Sequence, residues 1–196
     1  MKQLTGFIII AALLIFTGCN EMGKVTQGRT IAFDKEAGTV TFIVDKSPGS
    51  VKGKPDYTGL PPVVFKIPAD EHEMGPAPAV GQRMGLDTEK NEITIFDMAT
   101  GQLKIIAYTP VDKKDKIEKD NALVKDVKFP IVDRTAKTIQ IYSKRQKLLV
   151  TLSVPDEYMD LPDQTWAAGD EVRIYYKDDG QALRMMNITK TDIFKK

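Results

Sequence analysis

Short runs in which apolar and polar residues alternate recur along the chain. Clear cases are GTVTFIVD (Gly38 to Asp45), EITIFDM (Glu92 to Met98), KTIQIYS (Lys137 to Ser143) and EVRIYYKD (Glu171 to Asp178). A period of two, filled with β-branched and aromatic residues, reads as strands buried on one face. The segments DKEAG, ATGQ, DRTAK and KDDGQ punctuate these runs, and their Asp, Gly and Thr content marks turns. No stretch before Ile105 or after Lys128 keeps a helical period over three turns. The pattern predicts a mainly β protein.

The two halves also share an order of features. FDKEAGTVTFIV (Phe33 to Val44) aligns with VDRTAKTIQIYS (Val132 to Ser143), and FKIPADEHEMGP (Phe65 to Pro76) with LSVPDEYMDLP (Leu152 to Pro162) across one gap. VGQRMGL (Val80 to Leu86) then falls on AGDEVRI (Ala168 to Ile174). An internal repeat constrains a fold more than any single element does. Five short strands with a connection after the third resemble an OB-like small barrel. The expected architecture is therefore a tandem pair of small OB-like β-barrels. A single β-sandwich spanning both copies is the alternative. The first barrel is assigned to residues 28–110 and the second to 127–196, with the charged segment 111–126 between them as a short helix or a flexible linker.

Ahead of the strands, the pattern changes. Lys2 is followed by ten apolar residues, Phe7 to Phe16, then Thr17, Gly18 and Cys19. A charged start, a short apolar core and small residues before a cut site describe a secretory signal peptide, residues 1–18. The run falls short of the roughly 20 residues that a transmembrane helix needs. Cys19 is the only cysteine in the chain. The segment Phe16-Thr17-Gly18-Cys19 resembles the lipobox of bacterial lipoproteins, with Phe16 where Leu, Val or Ile is usual. The resemblance implies cleavage between Gly18 and Cys19 and acylation of Cys19. Its sulfur would become a thioether, leaving no thiol for a disulfide, a metal or nucleophilic chemistry. The chain is similar to envelope lipoproteins of Gram-negative bacteria, and this likeness carries no activity with it. It implies a periplasm-facing protein held in the cell envelope by lipid. Asn20 after the cysteine favours the outer membrane over the inner by the sorting pattern of enteric bacteria. Residues 19–27 are read as a tether, of which the eight residues after Cys19 span at most about 28 Å.

Charge narrows the partners. The leader carries only Lys2, so its loss leaves 27 basic residues (28 less Lys2) against 27 acidic ones. Nucleic-acid binders need a basic excess to neutralise phosphates, and none is present. The expected partners are the membrane, through the lipid, and another envelope protein.

Candidate chemistry is sparse. The single histidine, His72, sits in ADEHEMGP with Asp70 and Glu73. These three are weak candidates for a metal, because the second copy has Tyr158 at the place of His72, which points to a structural turn. No metal or other cofactor is expected. GSVKGKP (Gly49 to Pro55) lacks the spacing and the Ser/Thr of a phosphate loop. DTEKNEITIFDM (Asp87 to Met98) lacks the Gly and the final Glu of a calcium loop and reads as a hairpin turn. No HExxH, CxxC or GxGxxG occurs, so no catalytic residue is assigned. The first copy carries an insert, Asp45 to Pro62, rich in Pro and Gly. Loops of this length are often functional, although they also cost little to tolerate. Lys52, Lys54 and Tyr57 make it a candidate contact surface. Trp166, the only tryptophan, is read first as core and second as interface. The sequence thus points to a non-enzymatic binding or assembly module, or alternatively to a lipoprotein binding a small molecule or metal.

Overall fold

One turn grammar builds the fold. In a computed structural model that describes residues 22–47 and 54–191, β1 (Lys24–Asp34) ends in Asp34. Its Oδ1 accepts hydrogen bonds from the amides of Glu36 and Ala37, 2.9 and 2.8 Å away. Gly38 then takes a positive φ of 65° and the chain returns as β2 (Thr39–Val44). The same sequence of events joins β4 (Arg83–Asp87) to β5 (Glu92–Asp97), where Asp87 caps Glu89 and Lys90 and Asn91 has φ 55°. It recurs between β8 (Ile131–Asp133) and β9 (Thr138–Ser143), where Asp133 caps Thr135 and Ala136 and Lys137 has φ 54°. A short carboxylate accepting from amides two and three residues on stabilises a turn locally. A residue in the left-handed region four positions on sets the strand return.

The remaining strands are β3 (Gly59–Lys66), β6 (Gln102–Ala107), β7 (Thr109–Lys114), β10 (Leu148–Ser153), β11 (Glu171–Tyr176) and β12 (Ala182–Asn187). They form three antiparallel sheets with strand orders β12-β11-β1-β2-β3, β4-β5-β6 and β7-β10-β9-β8. The mainly β expectation holds. The tandem of two small barrels is corrected: no sheet of the described residues closes, and the largest one mixes strands from both halves. Strand β1 is long enough to serve two partners. Its residues 24–29 pair with β11 and its residues 28–34 with β2, with a register shift between Thr30 and Ala32. Single parallel bridges, Lys66 with Gln181 and Met74 with Met185, curl this sheet without making a ladder.

The first two pairs of segments aligned in the sequence share local structure. Both β1-β2-β3 and β8-β9-β10 are meanders that leave through a proline into one helical turn, a 3-10 turn at Glu71–Glu73 and helix α1 (Asp156–Met159). What differs is assembly. The chain crosses from β6 to β7 through Tyr108, so the two smaller sheets are joined by a nearly continuous strand and face each other. Ile93, Ile95 and Ile106 pack there against Ile139, Ile141, Val150 and Leu152, with Trp166 fully buried among them. That arrangement is sandwich-like. The curled five-stranded sheet has its own core of Val40, Phe42, Phe65, Val172, Ile174 and Met185. Its outer face meets β4 and β5 through Ile31, Ile43, Tyr57, Met84 and Phe96.

Segment 111–126 is neither a helix nor a loose connection. Its first part is edge strand β7, and Ile117 and Val124 then bury themselves against Leu149. Mixed charges on the outside and two apolar anchors beneath explain both its composition and its order.

Candidate functional site

A cavity opens where the β5–β6 hairpin meets the segment that carries α1. The hairpin repeats the turn grammar: Asp97 Oδ1 accepts from the Ala99 amide at 2.9 Å, and Gly101 has φ 68°. That bond, with weaker ones from Thr100, holds the Asp97 carboxyl below its usual value. On the facing side, prolines set the shape. Pro155 precedes α1, and Pro162 precedes a second 3-10 turn, Asp163–Trp166. Between them lies a space of about 340 Å³. The hairpin contributes Ile95, Asp97, Met98 and Lys104, and the opposite wall Glu157, Tyr158 and Leu161. At the back, the Thr165 hydroxyl donates to Gln82 Oε1 at 3.0 Å.

The cavity is apolar with a charged rim. Lys104 Nζ lies 4.7 Å from the centre of the Tyr158 ring, a cation–π pair. Two carboxylates, Asp97 and Glu157, stand against that one ammonium. A volume near 300 Å³, apolar walls and a few polar groups describe a ligand or side-chain site. Met98 is half exposed at the hairpin tip and can be covered by whatever enters. The described side chains suit binding of an amphipathic group carrying a positive charge.

The loop singled out in the sequence is clamped at its base. Asp45 is buried, and its Oδ1 accepts from the amides of Ser47 and Asp56 at 2.9 and 2.8 Å. The Lys46 amide donates to the Asp56 carbonyl at 2.8 Å. Lys52 lies outside the described residues, and Lys54 is exposed. Tyr57 is buried rather than offered to a partner. Its hydroxyl donates to Glu171, and the Arg29 guanidinium stacks 4.2 Å from its ring centre. Burial pushes the Tyr57 hydroxyl pKa well up, so it stays protonated. Arg29 donates in turn to the carbonyls of Arg83 and Met84, at 3.0 and 3.2 Å. Arg83 is itself buried, donates through Nε to the Trp166 carbonyl at 2.9 Å, and has its pKa pushed down to about 9 by desolvation and by Arg29. It remains charged at neutral pH. This network ties the loop base, β1, β4, β11 and the Trp166 turn together. Trp166 is accordingly core, with no surface to offer.

The acidic turn is spent on structure too. Asp70 caps the 3-10 turn by accepting from the His72 amide at 2.9 Å, and Glu73 is chelated by the Nε and Nη2 of Arg184. That bond holds the Glu73 carboxyl below its usual value. His72 is exposed. Among the described residues no group of three or more His, Cys, Asp or Glu would hold a metal ion. Gly18 and Cys19 lie outside the described residues. The cavity residues Met98, Lys104 and Tyr158 were not apparent in the sequence. The one available signal was a methionine at the tip of a hairpin, FDMATGQ, where a polar residue is expected.

Fold and site define a class: a mainly β protein of three antiparallel sheets with a preformed cavity at a hairpin–helix seam. Residues 21–196 match the family described as Domain of unknown function (DUF4881), and the chain belongs to that family. No curated protein and no solved structure matches it.

Proposed function

We propose that this protein is a lipid-anchored component of the bacterial cell envelope that works as a non-enzymatic binding or assembly module at the membrane surface. The observation that carries the binding role is the cavity between the β5–β6 hairpin and α1, with its apolar wall and its Asp97, Lys104 and Glu157 rim. The anchor rests on the sequence FTGC at the end of the apolar leader. The family match begins at residue 21, just past that point. A periplasm-facing site follows from the leader, with the outer membrane favoured by Asn20. The occupant we favour is a basic or aromatic side chain of an envelope protein. A small cationic ligand is the second reading, favoured by a cavity within the size range of ligand sites.

Crosslinking in cells tests both parts. A photo-crosslinking residue at Met98 should capture one dominant partner, and the capture should vanish in Tyr158→Ala, while a probe at Thr135 captures none. Capture at neither site, together with a melting shift on adding small amines, would transfer the cavity to the second reading. Cys19→Ala should leave the protein soluble. A variant that still pelleted with membranes after a salt wash would end the lipid-anchor reading.

A further inference from the structure

The anchor and the fold meet at one edge of the five-stranded sheet. Strand β1 begins at Lys24, so only four residues, 20–23, separate it from Cys19. The expected tether is therefore partly strand. Five residue steps reach at most about 17 Å. Whatever surface surrounds the start of β1 is held against the bilayer if Cys19 is acylated.

That surface is apolar where it would not be expected. Met22 is 96% exposed and Val25 61% exposed. Val25 stands directly opposite Tyr175 of β11, and Tyr175 opposite Arg184 of β12, so these three share the outer face of the sheet. Tyr175 is 37% exposed, and Leu183 is 44% exposed at the register shift beside it. The Tyr175 ring lies across Gly23, where a Cβ would come within 2.3 Å of its Cε2. The ring thus packs directly on the Gly23 backbone. Lys24 stands next to it, with its Nζ 3.4 Å from Asp179. Further along the outer face, β4 and β5 cover Ile31 and Ile43.

We infer that the outer face carrying Val25 and Tyr175 is the membrane-seated surface of the protein, resting in the headgroup layer beside the anchor. This rests on the lipid-anchor reading. Tyrosine suits that layer because one end is apolar and the other wet. A tether converts docking into an intramolecular event, so a patch too small to hold a bilayer alone suffices.

The test uses the lipidated full chain in vesicles of phosphatidylcholine and phosphatidylglycerol. Acylation consumes Cys19, so an introduced cysteine is the only thiol. Environment-sensitive labels on Val25→Cys and Tyr175→Cys should shift to the blue on reconstitution and be quenched by brominated lipid. A label on Thr135→Cys should do neither. Native Trp166 emission confirms that each variant is folded. Labels at 25 and 175 as wet as the one at 135, on protein shown by mass to be acylated, would overturn the inference and leave the anchor standing. Shielding without lipid that grows with protein concentration would give the face to a second copy and also overturn it. Purified native protein with an unmodified Cys19 would remove the anchor and the inference together.

Discussion

Two glycines separate what backbone freedom does from what space does. Gly101 holds φ 68° at the end of the β5–β6 turn, and an added Cβ there meets nothing within 4 Å. Gly101→Ala therefore measures the left-handed conformation alone and should cost about 1 kcal/mol. Gly28 is different. It lies in the middle of β1, paired with Val44 on one side and Val172 on the other. A Cβ there would sit 2.1 Å from the Ile43 carbonyl oxygen, which is backbone and has nowhere to go. Gly28→Ala should cost at least about 2 kcal/mol, as overpacking does. Urea midpoints of the two variants check the order, and equal losses would contradict it. Tyr57 shows the limit of reading single residues. Its type and its place in a Pro- and Gly-rich loop suggest an exposed contact. Its burial is decided by Arg29 and Glu171, which only folding brings to it.

At the scale of the element, the hairpin turns are the units of both folding and electrostatics. Asp87 and Asp97 accept backbone amide bonds in their turns, and those bonds lower each carboxyl pKa from 3.8. A group whose pKa is lowered on folding adds stability above its unfolded value, and that stability is lost as pH falls through the folded value. The wild-type melting temperature should therefore fall below about pH 4. Asp87→Asn with Asp97→Asn keeps an acceptor oxygen but no charge, so its curve should be flatter in that window. An unchanged slope from pH 5 to pH 2 would show that these turns carry no such linkage. These turns were legible in advance, since an Asp and its amides lie within three residues. The DTEKNE segment reads as a hairpin from sequence and is one. Segment 111–126 was not legible as order, because Ile117 and Val124 gain burial only from Leu149, Phe129 and Tyr142.

For the whole molecule, the joining of β1 to β11 is decisive. It places residues 24–29 beside residues 171–176, so the start and the end of the described chain stabilise one sheet. The Arg29, Arg83, Tyr57 and Glu171 network then ties that sheet to β4 and to the turn holding Trp166. We expect one unfolding transition, in which the far-ultraviolet signal of the strands and the emission of the single buried tryptophan change together. Two resolved transitions would divide the molecule into independent parts. The cavity also belongs to this scale. Its walls come from β5, β6 and the α1 segment, brought together by the facing of two sheets.

By itself the sequence determined the strands, their turns, the likeness between two meanders and the core preference of Trp166. Each is written in single or neighbouring residues: a period of two, an Asp two and three positions before its amides, a large apolar ring. Only the tertiary structure decided which strands share a sheet, that no tandem of barrels forms, that Tyr57 is buried, and where a cavity opens. The physical reason is that local hydrogen bonds specify a hairpin wherever it lies. Pairing between β1 and β11, and packing between the smaller sheets, depend instead on which apolar faces best cover one another. That competition is settled across the whole chain at once.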